Sequence, residues 1–233
     1  MMEKSKDNQT DNIISGVHNY CDRWCERCRF IKRCTVGLAE LERMSEDKSD
    51  IEIWDEIATN LTNTIKLISE KAAELGIDLT NLDDIEIVKK SPNEIEKLAM
   101  DYGTAAHHWM NNIREKIDEL TQKVIEQELA IPDFKEAFDV INWFEFFIGV
   151  KTRRAFQGYQ SENEFEKNDS DGSAKIALIA IDNSIEAYLV LYYQFPEYED
   201  DILGLLKQLS KLKKHLLTAF PDAISFIRPG FDE

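Results

Sequence analysis

From Ile51 to Leu75 the apolar residues Trp54, Ile57, Leu61, Ile65, Ile68, Ala72 and Leu75 recur every three or four positions. That period is one face of an amphipathic helix, with Gly76 placed to cap its end. A second helix start stands at Ser91, where Pro92 occupies the first helical position and Glu94 follows three residues after the cap. The stripe Ile95, Leu98, Tyr102, Ala106, Trp109, Ile113, Leu120 and Val124 then predicts one long helix to about Leu129, bent at Gly103. Pro132 opens a further helix from about Asp133 to Gln157. Its run WFEFFIGV is apolar on nearly all sides and predicts a place at the centre of a bundle.

The polar segment Ser161 to Gly172 reads as a loop. Another helix follows from about Ser173 to Phe195, ended by Pro196. The last runs from Glu197 to Phe220, with Ile202, Leu205, Leu206, Leu209, Leu212 and Leu216 on one face, and Pro221 stops it. The tail FIRPGFDE is expected to dock by Phe226, Ile227 and Phe231. A shorter helix is expected from Thr35 to Met44, ended by the polar run Ser45 to Asp50. The short run IEIV at Ile85 to Val88 has no evident partner strand and reads as part of a connector. The fold class is therefore all-α, a helical bundle of about five main helices. Residues 1–12 are expected to be disordered, residues 13–45 to form a four-cysteine metal-binding segment, and residues 46–233 to form the bundle, packed with that segment as one unit.

Composition narrows the function classes. With 233 residues, 43% of them apolar, the chain has enough material for a real core. The net charge of −17, from 28 basic and 45 acidic residues, argues against nucleic acid and against anionic lipid as partners. The opening MMEKSKDNQTDN lacks the apolar run of a signal peptide, and no stretch has membrane-spanning length. The expectation is a cytoplasmic protein with no membrane partner.

Every cysteine in the chain, Cys21, Cys25, Cys28 and Cys34, falls inside Tyr20 to Cys34, YCDRWCERCRFIKRC. In a reducing compartment clustered thiols are expected to bind metal rather than to form disulfides. Cys21, Cys25 and Cys28 lie at i, i+4 and i+7, so a helix here would place their sulfurs on one face, with Cys34 folding back beyond a turn at Phe30 to Arg33. The spacing is too tight for the two separated knuckles of a zinc finger. The expected cofactor is a 4Fe-4S cluster, with zinc as the alternative. Arg23, Arg27, Arg29, Lys32 and Arg33 would favour thiolates for either.

Cys25-x2-Cys28-x5-Cys34 resembles the cluster-binding ends of helicase-linked and CRISPR-associated iron-sulfur nucleases. It also resembles part of the auxiliary-cluster motif of radical-enzyme maturases. The nuclease core has no counterpart here, so the resemblance implies the cluster alone. Cys21-x3-Cys25-x2-Cys28 has the spacing of the radical S-adenosylmethionine enzymes. Those carry an aromatic where Arg27 stands and build an α/β barrel, from which this helical pattern departs. Over nearly the whole chain the sequence resembles a bacterial helical family that shares three segments, here Tyr20 to Cys28, Asp171 to Lys175 (DGSAK) and Phe226 to Glu233. That resemblance implies one integrated unit and brings no activity with it.

A second constellation is acidic. Glu145 shares a stripe with Phe134, Ile141, Phe144 and Ile148, so a helix would bury it, and a buried carboxylate needs a partner or a raised pKa. Lys175, Asp182 and Glu186 lie on one flank of the next helix, and Glu94, Asp101 and His108 on one flank of the long one. These suit either a di-metal carboxylate site of the ferritin-like kind or a salt-bridge network such as Glu145 with Lys175 or Arg154. No Glu-x-x-His pair occurs, which favours the network. His107 and His108 lie off the centre of their stripe, and His215 sits on a lysine-rich face. His18 is a candidate ligand or supporting donor beside the cysteines. Lys151, Arg153 and Arg154 suit an anion or, more commonly, neighbouring carboxylates. The overall expectation is a metal-binding protein with an interaction or regulatory role and a protein partner; the alternative is a metal-dependent redox enzyme or electron carrier.

Overall fold

The computed structural model describes residues 12–45, 49–77, 79, 91–127, 133–159 and 161–232. All the regular structure among them is helical, with no strand. The expectations for residues 1–11, for IEIV at 85–88 and for Pro132 lie outside the described residues. The chain divides into two compact units, Met1–Trp24 with Pro92–Glu233, and Cys25–Ser91.

The smaller unit holds α1 (Thr35–Ser45) and α2 (Asp50–Glu74). α2 begins at a capping box. Ser49 Oγ accepts from the Glu52 amide and Glu52 Oε2 accepts from the Ser49 amide, which satisfies two otherwise unpaired donors.

The larger unit is a bundle of five helices: α3 (Glu94–Glu126), α4 (Asp133–Phe144), α5 (Phe147–Gln157), α6 (Glu164–Gln194) and α7 (Glu199–Ala219). α6 is central and packs on α4, α5 and α7, while α3 closes the bundle against α4, α5 and α7. The core is built from the predicted stripes: Tyr102, Ala106, Trp109 and Ile113 of α3, Ile141 and Ile148 of α4 and α5, and Ile202, Leu209, Leu212 and Leu216 of α7. Each large apolar side chain so enclosed contributes about 1.5–3 kcal/mol.

Three boundaries differ from those read in the sequence. α3 starts at Glu94, because Asn93 and not Ser91 supplies the cap: Asn93 Oδ1 accepts from the amides of Ile95 at 2.9 Å and Glu96 at 2.8 Å. The helix expected over 133–157 is two, broken at Glu145–Phe146, so that Phe146 and Val150 face solvent while Glu145 turns inward. The segment expected to be a loop up to Gly172 is helical from Glu164, with Asn163 Oδ1 accepting from the Phe165 amide at 2.9 Å. The buried face of this stretch is made of small residues, Ser170, Gly172, Ser173 and Ala174, so no large apolar stripe announces it.

Those small residues receive the N-terminal segment and the C-terminal tail of the same unit. A Cβ on Gly172 would lie 2.4 Å from Tyr20 Cε1 and 2.8 Å from Phe226 Cζ, so both rings rest on bare helix backbone. The two rings meet edge to face with centroids 4.7 Å apart. The Tyr20 hydroxyl donates to Asp169 Oδ1 at 3.0 Å, and Arg154 clamps the same carboxylate through Nε and a terminal nitrogen. Burial and the Asp169 charge push the Tyr20 phenol up to about 12. Lys175 donates to the Phe226 carbonyl and pairs with Asp232, which Arg228 also holds. Tyr20, the DGSAK segment and the tail therefore meet at one face of α6. Of the three apolar tail residues expected to dock, Phe226 does so, whereas Ile227 is exposed.

Candidate functional site

The cysteine stretch is not an α-helix. A 3-10 turn, Val17–Tyr20, leads into an extended Cys21, and Arg23 then takes the left-handed conformation at φ 63°. Asp22 Oδ1 accepts from the Trp24 amide at 3.0 Å and closes the turn around Arg23. Trp24 stacks on Trp143 of α4, centroids 5.0 Å apart and planes within 14°, and Trp143 Nε1 donates to the Asp22 carbonyl at 2.9 Å. A non-glycine residue held at positive φ costs on the order of 1 kcal/mol and persists only where its surroundings fix it. Here the Trp24–Trp143 stack and the Asp22 contacts are those surroundings.

Cys21 is buried, and its thiol lies 3.5 Å from the His18 carbonyl. His18 thus meets Cys21 through its backbone. Burial pushes the Cys21 thiol up, with Arg23 and Lys151 acting in the opposite direction. Lys151 is itself only 6% exposed. Its Nζ donates to the Asn19 carbonyl at 3.3 Å and lies 5.3 Å from the Phe147 ring centre. Among the described residues no carboxylate forms an ion pair with Lys151. Burial, with the neighbouring Arg154 charge, pulls its ammonium down, and Cys21 acts to hold it up. A buried cation beside a thiol favours the anionic sulfur.

In the other unit Cys25 opens the 3-10 turn Cys25–Arg27 and Cys34 follows the turn Ile31–Arg33. The Phe30 amide donates to Cys28 Sγ at 3.4 Å, and the Gly37 amide donates to Cys34 Sγ at 3.4 Å. Gly37 admits this packing because a Cβ there would lie 2.4 Å from the Ile31 carbonyl oxygen. Among the described residues no disulfide joins Cys21, Cys28 or Cys34. Among the described residues no three His, Cys, Asp or Glu side chains are grouped to hold a metal ion. The donor chemistry of the four thiols suits iron-sulfur or zinc, but a ligand set is not assembled among the described residues.

The acidic constellation resolves into separate pairs. Glu145 is 5% exposed and its Oε1 lies 2.8 Å from His107 Nδ1, while Asn111 Nδ2 lies 3.0 Å from His107 Nε2. Both ring nitrogens are satisfied with the proton on Nδ1 and Nε2 accepting. Among the described residues Glu145 Oε2 has no partner, and the buried hydroxyls of Tyr102 and Tyr188 nearby also lack hydrogen bonds of ordinary geometry. Lys175 goes to the tail, Asp182 pairs with Lys213, and Arg154 holds Asp169. Neither Lys175 nor Arg154 reaches Glu145, whose partner His107 follows from a turn of α3 rather than from any residue spacing on α4. Glu186 and His108 are exposed.

Burial pushes the Glu145 carboxyl above its ordinary value near 4.5, and His107 offsets this only in part. The folded state then holds the proton more tightly than the unfolded chain. The stability contributed by protonated Glu145 is complete below about pH 4.5 and is lost as pH rises through the raised value. Glu145→Gln, which carries no such proton, is therefore expected to gain on the wild type as pH rises from about 4 to about 7. Thermal melts of both proteins across that range check it; parallel curves would contradict it.

No helix among the described residues is long and apolar enough to cross a membrane. Comparison with protein-family models, with curated proteins and with solved structures finds no match for this chain.

Proposed function

We propose that Cys21, Cys25, Cys28 and Cys34 take up one thiolate-ligated metal centre, a 4Fe-4S cluster or zinc, and that the protein works as a metal-binding interaction or regulatory protein. The observation that carries this reading is the pair of amides, Phe30 and Gly37, that donate to Cys28 and Cys34 sulfur. The constrained turn at Arg23 and the buried ammonium of Lys151 beside Cys21 support it from the other end of the stretch. Metal uptake draws the thiols together, so binding and local folding are coupled.

A redox enzyme or electron carrier is the second reading, and Lys151 is the observation that favours it. A buried positive charge near a cluster stabilises the reduced, more negative state.

The test is metal analysis after purification without oxygen. The expected outcome is either about four iron and four sulfide per chain or about one zinc, with loss of most of it in Cys28→Ser. A cluster that cycles reversibly at an accessible potential would select the redox reading. Metal retained in full by Cys28→Ser and Cys34→Ser would remove these residues as ligands.

A further inference from the structure

His107 differs from His18, His108 and His215 in what holds it. Its Nδ1 lies 2.8 Å from Glu145 Oε1, and among the described residues no other histidine ring pairs with a carboxylate. The pair joins a ring that is 47% exposed to a carboxylate that is buried. Gly103, one turn earlier on α3, permits it: a Cβ there would lie 2.7 Å from the Glu145 carbonyl oxygen, so α3 rests directly on the turn that carries Glu145. With the proton on Nδ1, the lone pair of the ring is on Nε2, whose contact is the amide of the exposed Asn111 at 3.0 Å. A buried carboxylate behind an imidazole fixes its tautomer and stabilises the positive charge that develops on the ring when the far nitrogen attacks an electrophile.

The surroundings of Nε2 select the electrophile. Thr104, His107, Asn111 and Arg114 form one row along α3 with no acidic member. The Arg114 guanidinium donates to Asn142 Oδ1 at 3.1 Å and lies 5.3 Å from the Phe138 ring centre. The chain has 45 acidic and 28 basic residues, so carboxylates are plentiful. Even so, among the described residues none forms an ion pair with Arg114. Its remaining N–H donors, one turn beyond the Asn111 amide, suit the oxygens of an anionic group carried to Nε2. A nucleophilic nitrogen backed by a carboxylate and flanked by an unpaired guanidinium fits an activated phosphoryl group, whose phosphorus is attacked while its oxygens keep their charge.

We propose that His107 is a phosphoryl acceptor, taking phosphate on Nε2 from a small acyl phosphate. The Nε2 lone pair forms the N–P bond, the bond from phosphorus to the acyl oxygen breaks, and the carboxylate anion leaves. The Nδ1 proton stays on the ring, and Glu145 balances the positive charge the ring acquires. The full-length protein incubated with acetyl phosphate tests it, with phosphohistidine read by mass spectrometry at His18, His107, His108 and His215. The expected result is labelling of His107 faster than of any other histidine by about tenfold or more, and slowed about tenfold in Glu145→Gln. Glutamine still offers Nδ1 an oxygen acceptor, so this variant removes the charge and not the positioning. Arg114→Gln, at a half-buried surface side chain, is expected to raise several-fold the acetyl phosphate concentration that half-saturates labelling of His107, with His215 labelled as before. It remains informative if Glu145→Gln alters the fold. A His107 that stays unlabelled overturns the proposal. So does labelling no faster than at His215, or labelling of His107 that neither substitution slows.

Discussion

Gly172→Val is expected to lower the melting temperature by on the order of 10 °C and to free Tyr20 from the bundle. The substituted Cβ would sit 2.4 Å from Tyr20 Cε1, 2.6 Å from Cδ1 and 2.8 Å from Phe226 Cζ, closer than carbon atoms approach. Neither ring can simply swing aside. Tyr20 is buried and tied by its hydroxyl to Asp169, and Phe226 is held by the Lys175 contact with its own carbonyl. Overpacking costs about 1–3 kcal/mol, and a lost hydrogen bond to a charged group adds about 1.5–3 kcal/mol. Some ~2–4 °C per kcal/mol then gives the stated shift for a unit of this size. Because Tyr20 precedes Cys21, the same substitution is expected to reduce metal retention. Gly204→Ala is the control: none of the described residues lies within 4 Å of its Cβ position on α7, so it is expected to stabilise by up to about 1 kcal/mol. Equal melting temperatures for Gly172→Val and wild type would mean that the tail and the N-terminal segment do not depend on this face.

Gly103→Val is expected to cost about 2–4 kcal/mol, read as a lowered urea midpoint with an unchanged slope. Here the obstacle is backbone: the added Cβ would meet the Glu145 carbonyl oxygen at 2.7 Å and the Phe146 ring at 3.1 Å. α3 would have to move away from the break between α4 and α5. His107 lies one turn along α3 from Gly103, so the same movement pulls it from Glu145. The expected second consequence is that Gly103→Val also destabilises more steeply as pH rises, since it leaves the Glu145 carboxylate buried without its partner. A variant as stable as wild type would show that the close approach of α3 to the Glu145 turn carries no energy.

Much of the bundle is legible in the sequence because its core is made of long apolar stripes at helical spacing. α7 illustrates this: Ile202, Leu205, Leu209, Leu212 and Leu216 form one face in the residue pattern and are buried together. α6 is legible only from Ser173 onward. Its first turns bury serine, glycine and alanine under Tyr20 and Phe226, and such a face has no hydropathy signal. Gly103 and Gly172 likewise look like interruptions in sequence, whereas in space each is the place where another element comes closest. Pairing is the least legible property. The burial of Glu145 follows from its stripe, but its partner His107 lies 38 residues away on another helix, and that requires the break at Glu145–Phe146. The density of the four cysteines between Tyr20 and Cys34 is what suggests a donor set. Their conformation is not legible, because Arg23 leaves helical geometry and the sulfurs expected on one helix face are carried instead on an extended residue and short turns.

The measurement that bears most directly on the central claim is X-ray absorption at the metal edge of the protein purified with its metal. A thiolate centre on Cys21, Cys25, Cys28 and Cys34 predicts a shell of sulfur at about 2.3 Å, with no dominant nitrogen or oxygen shell. A metal bound mainly through oxygen or nitrogen would contradict it, as would a chain that takes up no iron or zinc while all four thiols stay reduced and reactive.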